Sequence, residues 1–288
     1  MKTFENKVVA ITGAASGIGR ALAIELARHG AHVSLCDVDT IGLNQTLQRM
    51  RAQRTDVRVL MRQVDVADRA AVFAWCDATL TEFGCVDVVI NNAGVSVSSR
   101  VEDLSEADLR WIVDINWWGV VHGTQAYIPA LKSRPSASLV NISSVFGLVA
   151  VPTQAAYNAT KFAVRGFTEA LRHEFEGTPL HVMCVHPGGI RTNIVRHARN
   201  HEMPDGSTDA DRAIQDFDRI ARTSPEQAAR IILRDILARR PRCLIGADAR
   251  FLSLLARLFP VRYWSVLRPA LKRQRGIAQR ASSQAEAQ

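Results

Sequence analysis

The run Lys7-Val8-Val9-Ala10-Ile11-Thr12-Gly13-Ala14-Ala15-Ser16-Gly17-Ile18-Gly19 passes from an apolar, β-rich segment through a glycine-punctuated turn into an amphipathic segment. Gly13 permits the turn, Gly17 lets backbone approach a pyrophosphate, and Gly19 allows close packing of the helix that follows. Unpaired N–H groups and positive partial charge at the start of that helix attract an anion, so Ser16 and Ile18 are counted with the glycines as dinucleotide contacts. Asp37 ends the next apolar run, 24 residues after Gly13. Its carboxylate suits the hydroxyls of an adenosine ribose and repels a 2′-phosphate. With Val38 after it and no basic residue at Ser16, NAD is the expected cofactor, ahead of NADP.

Outward from this turn the same alternation repeats. Strands are predicted at Lys7 to Thr12, His32 to Asp37, Val57 to Gln63, Val86 to Asn91, Ala137 to Ile142, Leu180 to His186 and Arg242 to Ile245. Between them lie helix-length amphipathic segments at Gly17 to His29, Ile41 to Arg51, Asp68 to Phe83, Ser105 to Leu131, Gln154 to Glu174 and Pro225 to Arg239. Several strands are apolar throughout, as expected when helices cover both faces of a parallel sheet. Strict βα alternation predicts an α/β fold with a doubly wound parallel sheet, a Rossmann fold, over residues 1–248. Arg191 to Thr223 interrupts the rhythm with polar sequence and no strand signal. Ligands in open α/β sheets bind beyond the carboxyl ends of strands, so residues 191–223 read as a substrate lid or as a solvated connector.

Composition narrows the setting. The chain has 288 residues with 47% hydrophobic content, enough for one large core. Five cysteines without a C-x-x-C pair argue against a disulfide framework or zinc site, and no metal is expected. No signal peptide and no transmembrane run are read, which makes the cytoplasm the expected location. The net charge is +8, and from Ala249 onward eight basic residues face one acid, Glu286, so the charge is concentrated in the tail. A basic appendage on a near-neutral body does not suggest a nucleic-acid partner.

Tyr157-Asn158-Ala159-Thr160-Lys161 carries the chemistry, with Ser144 thirteen residues before Tyr157 at the end of an apolar run. On a helix, positions four apart share a face. A phenol has a reference pKa of about 10, and a neighbouring ammonium favours the phenolate. The Lys161 charge, with that of a bound nicotinamide, is expected to lower Tyr157 toward about 7 to 8, the range of a useful base. Ser144 would hold the substrate oxygen while Tyr157 removes its proton; Ser143 is the alternative serine.

These motifs resemble the short-chain dehydrogenase/reductase family, in its common single-domain branch, over about residues 5 to 250. Thr12 to Gly19, Asn91-Asn92-Ala93-Gly94, Ile142-Ser143-Ser144, Tyr157 to Lys161 and Pro187-Gly188-Gly189-Ile190-Arg191-Thr192 follow that family's pattern in order. The resemblance implies a nicotinamide-dependent alcohol/carbonyl oxidoreductase in which Ser144, Tyr157, Lys161 and Asn116 form a tetrad. It implies that Lys161 also binds the nicotinamide ribose, that Asp65 and Val66 meet the adenine, and that Asn91, Ala93 and Gly94 lie beside the cofactor. Pro187, Gly188, Ile190 and Thr192 resemble the segment that contacts the nicotinamide carboxamide. Asn116 in that family holds a helix kink. Homodimers or homotetramers are the family's habit, with Ser105 to Leu131 and Gln154 to Glu174 as contact faces.

Trp117-Trp118 and the chain beyond the last strand depart from the family pattern. Phe251, Leu252, Leu254, Leu255, Leu258 and Phe259 are expected on one helical face with Arg250 and Arg257 opposite, until Pro260 breaks the helix. Residues 249–273 therefore read as a basic amphipathic extension, and 274–288 as a disordered tail. The extension either rests on a membrane interface as a peripheral contact, or folds over the substrate pocket or onto a neighbouring subunit. A lipophilic secondary alcohol or ketone is the expected small-molecule substrate. A non-catalytic NAD-binding sensor or scaffold at a membrane surface is the alternative.

Overall fold

The computed structural model describes residues 1–200, 214, 215, 217–219 and 221–269. Seven parallel strands form one sheet: β1 (Val8–Thr12), β2 (His32–Asp37), β3 (Val59–Gln63), β4 (Val88–Asn91), β6 (Ala137–Ile142), β7 (Leu180–Pro187) and β9 (Arg242–Ile245). Their order across the sheet is β3-β2-β1-β4-β6-β7-β9. The order reverses beside β1, so the carboxyl ends of β1 and β4 flank a crevice where βα loops part in opposite directions. Each crossover passes through a helix, which is what parallel pairing requires.

Burial follows from that wrapping. β1, β4, β6 and β7 are buried at every position. One layer of the core packs α1 (Gly17–Arg28), α2 (Thr40–Arg51) and α7 (Pro225–Leu237) on the sheet through Leu22, Leu26, Leu43, Ile232 and Ile236. The opposite layer packs α3 (Arg69–Phe83), α5 (Gly119–Lys132) and α6 (Ala155–Glu174) through Trp75, Tyr127, Leu131 and Leu171. Ser224 caps α7 and Gln227 returns the bond, as the Ser-Pro-Glu-Gln start anticipates.

Three features differ from the sequence expectation. The segment predicted as one helix from Ser105 to Leu131 is α4 (Glu106–Val113), a π-helical turn (Asp114–Trp118) and then α5. The widened turn carries Asn116, whose side chain bonds the Val95 backbone and so competes with regular helix geometry. The stretch read as lacking strands contains β8 (Arg199–Asn200), which pairs with β5 (Val97–Ser98). Two residues are too short for any alternation to register. Finally, the boundary expected after residue 248 falls inside α8 (Ala247–Leu258). Residues 201–213 of the expected lid and the tail from 274 onward lie outside the described residues.

Candidate active site

The cradle beside β1 is built mainly from backbone. Gly13 adopts φ +67°, and a Cβ at Gly19 would stand 2.1 Å from the Gly13 carbonyl oxygen. Ser16 caps α1 without a side-chain bond, leaving the first N–H groups of the helix to a ligand. Asn92, not singled out from sequence as a functional residue, locks this turn. Its Nδ2 donates to the carbonyls of Thr12 and Gly13 at 2.9 and 3.1 Å, and its N–H donates to Thr12 Oγ1 at 2.9 Å. Thr192 closes the opposite side, its Cγ2 lying 3.3 Å from where a Gly17 Cβ would be.

Asp37 stands at the rim. Its carboxylate accepts the Ala15 N–H at 2.9 Å and the Asp39 N–H at 3.0 Å, so it both fixes the glycine turn and keeps acceptor capacity for ribose hydroxyls. Asp65 is exposed and accepts the Ala67 N–H. Val66 is buried, with its carbonyl on His122 Nδ1 at 3.1 Å. Two of the expected contacts turn their side chains away. Asn91 donates into the interior, to Asn141 at 2.9 Å and Thr124 at 3.2 Å, and Ile190 belongs to the hydrophobic core. Those residues can meet a dinucleotide through backbone alone, as can Ala93, whose N–H is held by Thr12 Oγ1 at 3.0 Å.

The reaction edge lies between the carboxyl ends of β4, β6 and β7, and there side chains set the geometry. The Ser144 hydroxyl stands close enough to the Tyr157 phenol to favour its ionised form. Ser144 Oγ also accepts the Phe146 N–H at 3.1 Å, capping the short 3-10 turn at Val145–Gly147. Ser143 is committed elsewhere: its hydroxyl donates to the Lys161 carbonyl at 2.8 Å. Lys161 Nζ lies 5.7 Å from the centre of the Tyr157 ring and donates to the Ile142 carbonyl at 3.1 Å. Gly94 separates the lysine from Asn116, since a Cβ there would approach both Lys161 Nζ and Asn116 Oδ1 to 3.2 Å. Asn116 is satisfied by the Val95 carbonyl at 2.9 Å, the Val95 N–H at 2.8 Å and Thr160 Oγ1 at 3.2 Å.

Burial corrects the expected phenol electrostatics. Desolvation pushes Tyr157 up to about 12, against a weaker lowering by the Ser144 hydroxyl. Desolvation likewise pulls Lys161 down to about 8. The protein alone therefore does not lower the phenol. An ammonium that is itself costly to charge, 5.7 Å from the ring centre, does not outweigh the loss of water.

A sequence profile for short chain dehydrogenases matches residues 7–203. A putative oxidoreductase, SadH, from Mycobacterium tuberculosis is 46% identical over 266 residues, which span 91% of this chain and 94% of that protein. The chain is a short-chain dehydrogenase/reductase. Among solved structures, a short-chain dehydrogenase/reductase from Burkholderia phymatum in complex with NAD superposes with a TM-score of 0.82 at 32% identity, over 90% of this chain and 95% of that one. An alcohol dehydrogenase from Thermococcus sibiricus complexed with 5-hydroxy-NADP gives 0.68 at 25% identity, over 83% and 94%. This short-chain dehydrogenase is thus an oxidoreductase with a Rossmann-type sheet.

Its supporting contacts include several that sequence reading missed. Asn158, inside the Tyr-Lys segment, donates to the Phe146 and Val149 carbonyls at 2.8 and 3.0 Å and fixes the loop after Ser144. His186 pairs Nδ1 with the Ser144 carbonyl at 3.0 Å, and desolvation lowers it to about 4, so the neutral ring donates there. Asp248, in the first turn of α8, accepts the Gly189 N–H at 2.7 Å and so ties the chain after β7 to the extension. Asn158 and His186 stand inside or beside quoted motifs; nothing local marks Asp248.

Proposed function

We propose that this dehydrogenase interconverts a lipophilic secondary alcohol and its ketone with NAD. The observation that carries the reading is Tyr157, beside Ser144, set in an apolar wall. Tyr157 shares a hydrophobic cluster with Val97 and Ile112, and partly buried Val95, Leu104, Trp111, Phe146 and Ile194 pack against it. Such a wall favours a hydrocarbon substituent over a charged one.

The glycine turn, Asp37 and the chain from Pro187 to Thr192 would hold the dinucleotide, and a free α1 N-terminus beside φ-positive Gly13 fits a pyrophosphate. A bound nicotinamide supplies the hydride acceptor or donor and, when oxidised, a positive charge. Ser144 fixes the substrate oxygen by hydrogen bonding. In reduction Tyr157, protonated in the free protein, donates its proton to the forming alkoxide. In oxidation Tyr157, once its own proton has been released to solvent, takes the hydroxyl proton as the phenolate, and oxidation accelerates as pH rises. Lys161 supplies charge beside the phenol, its Nζ lying 5.7 Å from the ring centre. NAD is the reading because Asp37 opposes a 2′-phosphate and exposed Val38 offers it no cation. Arg20 lies within electrostatic reach of Asp37, but its guanidinium is engaged by Gln45 and the backbone carbonyls of Ala15 and Gly42.

A homodimer or homotetramer is part of the reading. Trp118 and Phe162, 46% and 40% exposed, stand on the α5 and α6 side of the molecule, an uncharged pair suited to a neighbouring subunit. The deciding experiment offers NAD⁺ or NADP⁺ with short, long-chain and cyclic secondary alcohols and follows reduced nicotinamide. NAD⁺-dependent turnover that favours the lipophilic members and disappears in Tyr157→Phe is expected. Activity surviving in that variant overturns the mechanism, and cofactor binding without turnover on any alcohol points to a sensor.

A further inference from the structure

The extension carries more apolar surface than its docking consumes. α8 rests on the body through Ala249, Leu252 and Ala256, against Val145 and Val149 of the chain that follows Ser144, and Leu255 is buried as well. The Tyr263 hydroxyl accepts the Ala150 N–H at 3.0 Å and secures the helical residues 263–269 to the same loop. A second stripe points outward: Phe251, Leu254 and Leu258, at helical spacing i, i+3, i+7, continue into Phe259, Val261 and Val266. These six are half of the twelve exposed large hydrophobic side chains among the described residues. The single apolar face expected from sequence is therefore two faces.

Charge selects what covers the outer one. Arg250, Arg257, Arg262 and Arg268 are all exposed beside it, and no Asp or Glu occurs from 249 to 269. Among the described residues, none of the four arginines pairs with a carboxylate. A second copy docked across a twofold axis would set this patch against itself, arginines facing arginines. Residues 270–288 bring four more cations and one acid, the same sign again. An anionic lipid surface satisfies both halves of the patch, taking Phe and Leu side chains into the acyl boundary and the arginines among its headgroups.

We propose that the outer face of α8 and residues 259–268 docks this dehydrogenase peripherally on an anionic membrane. No helix among the described residues is long and apolar enough to cross one, so the contact is interfacial. The docking face lies one helix thickness from the loop carrying Ser144. Use of that proximity to take substrate from the bilayer rests on the function proposed above; the docking does not.

The test is co-sedimentation of the full chain with phosphatidylcholine vesicles, with and without phosphatidylglycerol, at low and high salt. Binding is expected only with phosphatidylglycerol, and salt should weaken it. Arg250→Glu/Arg257→Glu and Phe251→Ser/Leu258→Ser should each weaken it by about tenfold or more. NADH titration and thermal melting of the variants show that the fold persists. Absence of phosphatidylglycerol-dependent binding, or its persistence in both variants, overturns the proposal. So does a fall in light-scattering mass in the variants with vesicle binding unchanged, which makes the face a subunit contact. Since no substrate enters the assay, a protein inactive on every alcohol can still pass it.

Discussion

The edge of the sheet beside β1 and the edge beside β6 and β7 hold their functional groups by opposite means. Beside β1 the shape belongs to backbone: a left-handed Gly13, an N-terminus without a side-chain cap, and Asn92 clamping the Thr12 and Gly13 carbonyls. Beside β6 and β7 it belongs to buried side chains, with Tyr157, Lys161 and Asn116 all nearly removed from water. A backbone cradle is vulnerable to added atoms. A side-chain site is vulnerable to lost hydroxyls and to the cost of burying an ion.

Tyr157→Phe gives the widest separation of the two. The ring remains in its cluster with Phe146, at 6.1 Å between centroids, while the proton donor goes. Turnover should fall by roughly 10³-fold, within the range for a general acid or base. NADH affinity by fluorescence titration should stay within about twofold, because this ring oxygen takes no part in the backbone cradle. A comparable loss of both would mean that the two edges are a single unit.

Lys161→Met probes the cost of the buried ion. From 10.5 down to about 8, the folded-state displacement of the ammonium is worth roughly 3 kcal/mol against folding at neutral pH. Because the folded value lies below the unfolded one, the unfolded chain holds the extra proton between about 8 and 10.5, and stability rises with pH across that window. The variant should melt higher than the parent at pH 7, by an amount that shrinks toward pH 10, while losing turnover. Urea unfolding at several pH values measures it, and a variant less stable than the parent at pH 7 refutes the electrostatic account.

Gly19→Ala tests the other edge. The new methyl would press on the Gly13 carbonyl, where backbone cannot yield without moving the turn. Overpacking of this kind costs about 1 to 3 kcal/mol, which should appear as a roughly tenfold or greater loss of NADH affinity. The phenol chemistry should survive in the fraction that binds, so kcat at saturating cofactor changes far less than the affinity. Unaltered affinity would show that the pyrophosphate does not sit at this turn.

Sequence made the first edge far more legible than the second. Gly13, Gly17 and Gly19 act on neighbours in the chain, so their spacing states their geometry, and Asp37 is fixed once two strands are recognised. Helix coverage of both sheet faces is legible in the βα alternation, whereas the strand order is read from the structure. Asn116 could be placed on a helix, but the π-helical turn around it comes from bonds to Val95, 21 residues away, and has no periodic signature. The rise of the Tyr157 phenol in the protein alone is not legible in sequence, because desolvation depends on what packs around its cluster: Phe146, Ile194 and Trp111 arrive from three separate segments. Likewise the hydrophobic pattern of α8 shows that it is apolar, not which stripe meets the body.

Asp248 gives the smallest and finest test, because it joins the two kinds of construction. Its carboxylate accepts the Gly189 N–H across 59 positions of sequence and lies where any side chain at Gly188 would stand. It thereby uses the first turn of α8 to hold the segment that closes over the glycine turn through Thr192. The carboxylate is exposed, so Asp248→Ala should cost only about 0.5 to 1.5 kcal/mol. If the segment after β7 is positioned from the extension, that loss should fall on cofactor affinity, a few-fold rise in KM for NAD⁺ with melting temperature nearly unchanged. Asp248→Asn, which keeps an acceptor oxygen, should restore most of it. A loss confined to melting temperature would make Asp248 a helix-start carboxylate and nothing more, leaving the segment to be held by its bridge between Ile190 and Thr223.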